Sequence, residues 1–594
     1  MNRRVESKTA SAAPEFPERR WLRFYDDLPA CLDYPEASLC QVLAESAACN
    51  PERIAWDFYD SRQNYRELLE SVDRAASALQ ALGLGAGQRL LIVMPTSPQG
   101  VIAFYAANRL GATAALIHPL STPPEIEQAI DRSGARIVLC LDAIYQRVAA
   151  ARPQRPLEAI VVAAIGDYLS PLKRALFWWR KARHFEAIPA DQKIHRWREL
   201  MRPRPQEQAA VVAACSTPAA LLFSGGSTGE PKGVLLSNRA IIAQGMQTAC
   251  WGRMRAGDSI LAILPLFHGF GLAVCVNATL MAGGTCILVP QFDADEVARL
   301  IRKKRPSLLV GVPTLYAALN RNPRLARTDL SFLRAAFSGS DTLPRPVKEG
   351  FEALVRANGG DLKLLEGYGL TEAVSAIMAM PLGHYREGSI GLPFPDMQAK
   401  ICVPGQEIAA RLGEEGEICI SGPSLMDGYL DDPEASATAL RRHADGRVWL
   451  HTGDLGREDA DGFFYFSLRA KRMIKSSGFN VYPAQVEAVL RLHPGVAEAC
   501  VIGLPDPDQV ERVHACIVLT DPNQASAETA EALIAHCRGL LIKWSCPRAI
   551  SFHPGLPTTR IGKIDYRALA AERMAQNSNT VPKHPEPGGG EPIR

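Results

Sequence analysis

Apolar residues recur along the first half of the chain in two alternating patterns. One has the three-to-four-residue spacing of an amphipathic helix, and the other is a short continuous run typical of a buried strand. The sequence therefore predicts helices at 66–82, 99–109 and 124–131, and strands at 90–94, 113–117 and 137–141. Because strands that alternate with helices fold into mainly parallel sheets covered on both faces, the pattern predicts an α/β domain with a doubly wound sheet.

The same alternation resumes at Ala219 and predicts strands at 259–264, 285–289, 308–312 and 334–337. From about Lys400 to Phe466, short strands separated by turn residues indicate a small β subdomain. A compact α+β unit follows, with predicted helices at 485–492 and 527–541 and strands at 497–502 and 515–519. We therefore expect a large domain at 35–469 and a small C-terminal domain at 470–575.

Three segments fall outside this pattern. Residues 1–34 lack the apolar core of a secretory signal and are predicted to form a disordered arm. Residues 576–594 are rich in Pro and Gly and are predicted to form a disordered tail. Residues 167–202 form a predicted insert in which tryptophans stand among basic residues, a mixture typical of helices on anionic membranes. Packing of these tryptophans on their own domain is the alternative to peripheral membrane contact through 167–183.

Composition narrows the classes of function. The 594 residues are 47% hydrophobic, which is enough for several domains. With 66 basic against 63 acidic side chains the net charge is only +3, so no nucleic-acid partner is expected. The 14 cysteines form no CxxC pair and no tight cluster in the sequence, which favours a reduced, cytoplasmic setting over disulfides or structural zinc. Apolar runs fall well short of the ~20 residues that span a bilayer.

A glycine-rich loop provides the first indication of chemistry. Residues 223–233 read FSGGSTGEPKG between two apolar segments. Glycines let backbone N–H groups approach anionic oxygens, and hydroxyl groups and a lysine add donors and charge, so the loop is suited to phosphates. Pro231 and Gly233 flank Lys232 where a Walker A loop needs Gly and Ser or Thr, which excludes an ordinary P-loop. Taken alone, a flexible surface connection would look the same.

Further motifs follow the loop in a fixed order. They are LPLFHG (264–269), EGYGLTE (366–372), GEICISGPSLMDGY (416–429), HTGDL (451–455), LRAKRMIKSSGFNVYP (468–483) and LPTTRIGKIDYR (556–567). Together with the loop, this series resembles the adenylate-forming superfamily of acyl-CoA synthetases, firefly luciferase and peptide-synthetase adenylation domains. The resemblance spans roughly residues 35–575 and is closest to bacterial long-chain fatty-acid-CoA ligases.

The resemblance implies a set of nucleotide-binding residues. The loop residues implied for the β and γ phosphates of ATP are Ser224, Gly225, Gly226, Ser227, Thr228, Gly229 and Lys232, with Gly225 standing where the family usually has serine. Those implied for the rest of the nucleotide are Gly367, Tyr368 and Gly369 around adenine, Thr371 at the α-phosphate, Glu372 at Mg²⁺, Asp454 at the ribose and Arg469 at ribose and phosphate. Without the resemblance, Asp454 alone would be interpreted as a turn carboxylate.

Four more residues acquire roles only through the resemblance. His268 is implied to position the acyl substrate, although a histidine in an apolar stretch is usually a core residue. Lys563 is implied to bridge the carboxylate and the α-phosphate, Lys471 to act as a hinge, and Gly478 to lie in the loop that meets CoA. A hinge at Lys471 would let the small domain exchange Lys563 for the CoA loop between half-reactions.

The resulting hypothesis is an ATP- and Mg²⁺-dependent acyl-CoA synthetase that converts a medium- to long-chain fatty acid to acyl-AMP and then to acyl-CoA. No carrier-domain serine motif is found in the sequence, so the acceptor comes in trans and CoA is favoured. The alternatives are a ligase that loads a separate acyl carrier protein, a CoA ligase for an aryl or specialised acid, and a non-catalytic acyl-nucleotide or membrane-binding relative. The expected location is the cytoplasm, with peripheral contact at the inner membrane face left open.

Overall fold

The computed structural model describes the residues in the ranges 19–175, 188–202, 213–224, 232–469, 474–476, 479–481, 483–506, 510–541, 545–558 and 564–578, together with Arg472. The chain divides into two compact units. Unit 1 runs to Thr452 and includes Arg457–Tyr465, and unit 2 comprises Gly453–Gly456 and the chain from Phe466 onward. No helix among the described residues is long and apolar enough to cross a membrane.

Helices and strands alternate through the first part of unit 1. In chain order they are α1 (Leu39–Cys49), β1 (Ile54–Phe58), β2 (Ser61–Asn64), α2 (Tyr65–Ala81), β3 (Arg89–Val93), α3 (Pro98–Arg109), β4 (Thr113–Leu116), α4 (Pro123–Ser133), β5 (Ile137–Leu141), α5 (Tyr145–Ala150), β6 (Ala159–Ala163), β7 (Ile194–Arg196), α6 (Trp197–Leu200), β8 (Pro218–Ser224), β9 (Lys232–Ser237) and α7 (Asn238–Trp251).

The alternation continues through the second part. The elements are β10 (Ser259–Ala262), a π-helical segment (Phe270–Asn277), α8 (Ala278–Met281), β11 (Thr285–Leu288), α9 (Ala294–Lys304), β12 (Leu308–Gly311), α10 (Pro313–Asn320), β13 (Ala335–Ser338), α11 (Arg345–Ala357), β14 (Leu364–Gly369), β15 (Ala376–Ala379) and β16 (Leu392–Pro393).

Short strands dominate the chain beyond residue 397. The elements are β17 (Gln398–Cys402), β18 (Gly416–Ser421), β19 (Gly428–Tyr429), α12 (Pro433–Ala439), β20 (Leu440–Arg442), β21 (Val448–Glu458), β22 (Phe464–Arg469), β23 (Ile474–Ser476), β24 (Phe479–Val481), α13 (Pro483–Arg491), β25 (Val496–Asp506), β26 (Val510–Leu519), α14 (Ala527–Leu540), β27 (Ala549–Phe552) and α15 (Tyr566–Ser578).

Two large mixed sheets build most of unit 1. The first has the strand order β16-β15-β14-β13-β12-β10-β11-β1-β2, and the second β19-β9-β8-β4-β3-β5-β6-β7. The inner strands pair in parallel, and antiparallel strands stand at the edges: β2 and β15–β16 in the first sheet, β9 and β19 in the second. The α/β class with doubly wound sheets, predicted from the sequence, is confirmed.

Smaller sheets account for the remainder. A sheet with the order β17-β18-β21-β20 corresponds to the predicted β subdomain. In unit 2, β24-β23-β26-β25 form an antiparallel sheet, and β27 adds to β26 in parallel. The apolar side chains of α13, α14 and this sheet, among them Val486, Leu533 and Ile517, form a core of their own.

Two sequence-based expectations are wrong in part. The predicted disordered arm of residues 1–34 includes an ordered stretch, because the Trp21 side chain is 1% exposed against the ring of Phe464 and the Tyr25 hydroxyl donates to the carbonyl oxygen of Pro393 at 2.6 Å. The predicted insert at 167–202 is shorter than expected, because β7 pairs in parallel with β6 and returns the chain to the sheet by Ile194. The amphipathic signals of both stretches are too short to be found by periodicity.

A buried cluster of charges ties α9 to the edge of the first sheet. Asp293 caps the start of α9, and basic residues in its last turn favour the negative end of the helix dipole. In that turn, Lys304 Nζ lies 2.6 Å from both Asp57 Oδ2 and Asp60 Oδ1, and the Lys304 side chain is only 6% exposed. Hydrogen bonds from Lys173, Lys303 and Lys304 hold the pKa of Asp60 well below its usual range.

The adjacent lysines of α9 allow a matched test of this cluster. Lys304→Met leaves the buried Asp57 with Arg62 as its one remaining ion-pair partner among the described residues, and should destabilise unit 1 by about 3 kcal/mol. Lys303 also contacts Asp60 but is 48% exposed, so Lys303→Met should cost less than about 1 kcal/mol. Urea unfolding of the full chain, compared through its transition midpoints, measures both. Equal midpoints for the two variants would contradict this account of the buried pair.

Candidate active site

An apolar pocket opens in unit 1 between the end of α7 and the strands β10, β12, β13 and β14. The space between its lining side chains amounts to about 780 Å³, which includes the solvent at its open mouth. Its apolar lining includes Trp251, Met254, Ile260, Leu308, Val310, Val274, Phe337 and Phe394. Ile260 and Leu308 lie side by side where β10 and β12 pair in parallel. Both residues are near the starts of their strands, away from the carboxyl ends, and so lie at the deep end of the pocket.

The mouth of the pocket lies where β12, β13 and β14 end. In open α/β sheets, ligands bind beyond the carboxyl ends of the strands. Four sequence-predicted nucleotide residues line this end: Gly367, Tyr368, Gly369 and Thr371. The sequence motif EGYGLTE is thus split between the last four residues of β14 and a short 3₁₀ turn at Thr371–Ala373. Thr371, the residue predicted to bind the α-phosphate, is therefore part of the lining of the apolar pocket.

The turn after Glu372 holds a strained backbone. Val374 has φ +64° and ψ −59°, a conformation rare for a β-branched residue, and the N–H of Ser375 donates to the carbonyl oxygen of Ala373 at 2.7 Å, which closes a γ-turn. Val374 is fully buried, and the N–H of Leu370 donates to the carbonyl oxygen of Ser375. Strain held in place by surrounding contacts is common at ligand sites.

His268 lines the pocket beside this turn. The N–H of Phe270 donates to His268 Nδ1 at 3.2 Å, so a neutral ring carries its proton on Nε2. The residue stands just before the π-helical segment, and such segments are frequent at functional sites. His268 is therefore held as an oriented half-buried ring, and its role in positioning the acyl substrate stays a prediction.

The side chain of Tyr429 contacts both Glu372 and Lys232, and the sequence analysis assigned no role to it. The Tyr429 hydroxyl donates to Glu372 Oε1 at 3.0 Å, and Lys232 Nζ lies 4.5 Å from the centre of the Tyr429 ring. Lys232 Nζ is also 3.9 Å from Asp432 Oδ2. Strand pairing explains the approach, because β19 places Tyr429 opposite Val234 of β9, two residues beyond Lys232. Tyr429 ends the motif GEICISGPSLMDGY, which was the only signal for it in the sequence.

A buried hydroxyl of β13 also borders the pocket and was missed. The Ser338 side chain is 2% exposed, and its Oγ has no hydrogen-bond partner among the described residues. Two residues on, Ser340 has φ +72°, a second strained position at the mouth. A buried donor without a protein partner is costly unless a ligand or water meets it, so Ser338 is a further candidate ligand contact.

The remaining sequence-predicted residues are less closely described. Ser224 ends β8 opposite Lys232, and the loop residues Gly225, Gly226, Ser227, Thr228 and Gly229 lie outside the described residues. Asp454 is a buried residue of β21, and Arg469 is the last residue of β22; both belong to unit 2. Lys471, Gly478 and Lys563 also lie outside the described residues. The roles assigned to all of these residues stay predictions.

The donors at Glu372 fit a magnesium ion. A carboxylate is a hard oxygen ligand, and the Tyr429 hydroxyl orients that of Glu372 through a hydrogen bond to Oε1. Mg²⁺ held there would neutralise phosphate charge and favour departure of a phosphate leaving group. Lys232 adds a second positive charge on the far side of Tyr429. The arrangement therefore combines an apolar cavity with groups suited to a polyphosphate.

Comparisons with known proteins identify the family of the chain. The AMP-binding enzyme family matches residues 43–430, and the AMP-binding enzyme C-terminal domain matches residues 485–563. A long-chain-fatty-acid–CoA ligase of Bacillus subtilis is 34% identical over 562 residues, 93% of this chain and 98% of its own length. A feruloyl-CoA synthase of Amycolatopsis is 31% identical over 520 residues, 87% of this chain and 95% of its own length.

Comparison with solved structures indicates the same family. ATP-bound MatB from Rhodopseudomonas palustris superposes with a TM-score of 0.75 at 26% identity, covering 90% of this chain and 98% of that one. The family match covers more than half of the chain, and the matches to relatives extend over nearly their whole length. The chain therefore belongs to the AMP-binding enzyme family, whose solved relatives are acyl-CoA ligases of the adenylate-forming superfamily.

Proposed function

We propose that the chain is an ATP-dependent acid–thiol ligase that activates a medium- to long-chain fatty acid. It joins the acid to AMP with release of pyrophosphate, and then transfers the acyl group to CoA with release of AMP. The observation that carries this proposal is the apolar pocket that ends at Thr371, beside the Glu372–Tyr429–Lys232 group. A hydrophobic acid in the pocket would bring its carboxylate to the place where phosphate-binding groups gather.

Each side chain has a role that follows from its surroundings. The substrate carboxylate is already ionised at neutral pH, so attack on the α-phosphate needs alignment and charge neutralisation more than a base. Thr371 offers a hydroxyl donor at the pocket mouth, and His268 orients the acyl carboxyl group from the pocket wall. Lys232 and the loop that precedes it hold the leaving pyrophosphate. Lys563 would bridge the two reacting anions in the first half-reaction.

The pocket lining favours an acyl chain over a polar acid. The side chains deep in the pocket are aliphatic or aromatic, and burial of each methylene is worth about 0.8 kcal/mol. The B. subtilis relative supports a long acyl chain, whereas the Amycolatopsis relative is named for an aryl acid. An aryl or specialised acid is therefore the second candidate, because Trp251, Phe270 and Phe337 could also pack against a ring.

Two finer proposals concern partners. CoA is the proposed acceptor because the relatives compared above are named as CoA ligases or synthases, and a carrier protein in trans is the alternative. Peripheral membrane contact through 167–183 is supported by the basic aromatic sequence and by Leu172, whose side chain is 82% exposed. Lys173 in the same stretch is bound to Asp60, so it is held to its own domain.

Acid-dependent ATP consumption tests the proposal. The purified full chain is given ATP, Mg²⁺ and one acid from a panel that runs from acetate to long-chain fatty acids and includes ferulate and benzoate. AMP and pyrophosphate are followed with CoA, with a phosphopantetheinyl carrier protein, and with neither. We expect sustained AMP release only with long acyl chains and CoA, since thioester formation must clear the adenylate before the next turnover.

Other outcomes of the same assay would contradict parts of the proposal. A single burst of pyrophosphate that only the carrier protein relieves would assign the enzyme to carrier loading. Turnover confined to ferulate or benzoate would replace the fatty acid by an aryl acid. No acid-dependent release of pyrophosphate from any acid would show a non-catalytic relative.

Tyr429 provides a structural test of the phosphate end. Tyr429→Phe keeps the ring beside Lys232 but removes the hydroxyl that orients Glu372, so the Mg²⁺ concentration for half-maximal activity should rise about tenfold. Tyr429→Ala removes both contacts and should also raise the KM for ATP. The control is Tyr465→Phe, which removes a hydroxyl bound to Asp459 outside the pocket lining. An unchanged Mg²⁺ requirement in Tyr429→Phe would refute the orienting role.

A further inference from the structure

One face of the small β17-β18-β21-β20 sheet gathers residues with metal-binding side chains. In the β17–β18 pairing, Cys402 lies opposite Glu417 and Lys400 opposite Cys419, so alternation puts all four on the same face. His451 of β21 reaches this face, since its Nδ1 lies 2.8 Å from Glu417 Oε2 and 3.5 Å from Cys419 Sγ. Strands far apart in the sequence thus bring two thiols, an imidazole and a carboxylate together.

The ligand atoms form a tight group. One ligand atom each from Glu417, Cys419 and His451 lies within 4.8 Å of the other two. A separation of 3.5 Å between the Cys419 sulfur and the His451 nitrogen is what two ligands of one tetrahedral ion at 2.0–2.3 Å require. Cys402 lies beside this group, because it packs in one buried cluster with Cys419 and Trp449.

The group is buried, which makes its polarity costly. Cys402, Cys419 and Trp449 form an apolar cluster with no exposed surface, while Glu417 and His451 are each 8% exposed. Burial of the Glu417 carboxylate away from water is unfavourable unless a positive charge meets it, whereas protonated thiols are readily buried. Lys400 lies on the same face of the sheet, with its Nζ 4.1 Å from the centre of the Trp449 ring.

We propose that Glu417, Cys419 and His451 bind a zinc ion, with Cys402 as the fourth ligand. Zinc is the metal that combines thiolate, imidazole and carboxylate ligands in a tetrahedron. Binding releases the two thiol protons and, at His451, replaces the proton on Nδ1, so the ring carries its hydrogen on Nε2. Four protein ligands leave no open position, so the ion would be structural and separate from the nucleotide site.

A neighbouring histidine orients the ring that would bind the ion. His451 Nε2 lies 2.9 Å from His443 Nε2, and both rings are buried. Ligating histidines usually bind a second group through their other ring nitrogen, and this contact fixes both the tautomer and the ring plane. His443 has that position here, with Trp449 tilted against its ring at a centroid distance of 5.7 Å.

Cobalt substitution tests the site independently of enzyme activity. The full chain, purified under reducing conditions and stripped with a chelator, is titrated with Co²⁺ and then with Zn²⁺. We expect about one Co²⁺ per chain with intense visible bands of tetrahedral geometry and sulfur-to-cobalt charge transfer, all removed by Zn²⁺. A wild-type protein that gives no such bands and retains no zinc after dialysis would overturn the proposal.

Variants separate this site from other thiols. Cys419→Ser and Glu417→Gln should lower bound zinc from about one per chain to near zero, and Cys402→Ser should weaken the zinc affinity at least tenfold. Cys140→Ser, which changes an equally buried cysteine of β5, is the control and should keep the cobalt bands. Loss of the bands in Cys140→Ser, or unchanged bound zinc in Cys419→Ser and Glu417→Gln, would refute the assignment.

Discussion

The candidate active site depends on close packing of backbone against backbone. A Cβ atom added at Gly269 would lie 1.8 Å from the carbonyl oxygen of Val374, and one at Gly369 would lie 1.9 Å from that of Ser375. Only glycine permits these approaches. They hold the His268 segment against the 369–375 turn and keep Val374 in its strained conformation. The pocket mouth is consequently fixed by main-chain contacts, and its side chains are positioned as a result.

The side chain of Tyr429 connects the two large sheets through its contacts. Its strand, β19, extends the second sheet next to Lys232, while its hydroxyl reaches Glu372 in the turn after β14 of the first sheet. A cation near the ring and a carboxylate at the hydroxyl make Tyr429 a link between the predicted phosphate and magnesium residues. The apolar pocket lies between the first sheet and α7, and its lining includes Thr371 of the turn that also carries Glu372.

The sequence predicted the regular elements well because their signals are local. The structure has α2 at Tyr65–Ala81 against the predicted 66–82, and β5 at Ile137–Leu141 as predicted. Contacts between distant segments were not predictable in the same way. Trp21 gains its place only by packing on Phe464, and the 14 cysteines appeared scattered although β17 and β18 bring Cys402 and Cys419 together. The order of the motifs identified the family. The contacts of Tyr429 and the surroundings of Ser338 could be found only from the folded structure.

Chain-length dependence of adenylate binding tests the central claim, that the apolar pocket holds the acyl chain of an acyl-adenylate. Non-hydrolysable acyl-sulfamoyl adenosines of increasing length are titrated calorimetrically into the wild type and into Leu308→Phe, which fills the deep end. The account predicts a wild-type affinity gain of about 0.8 kcal/mol, or about fourfold, per methylene until the pocket is full, with an earlier limit in Leu308→Phe. An affinity independent of chain length, or one unaffected by Leu308→Phe at every length, would contradict it.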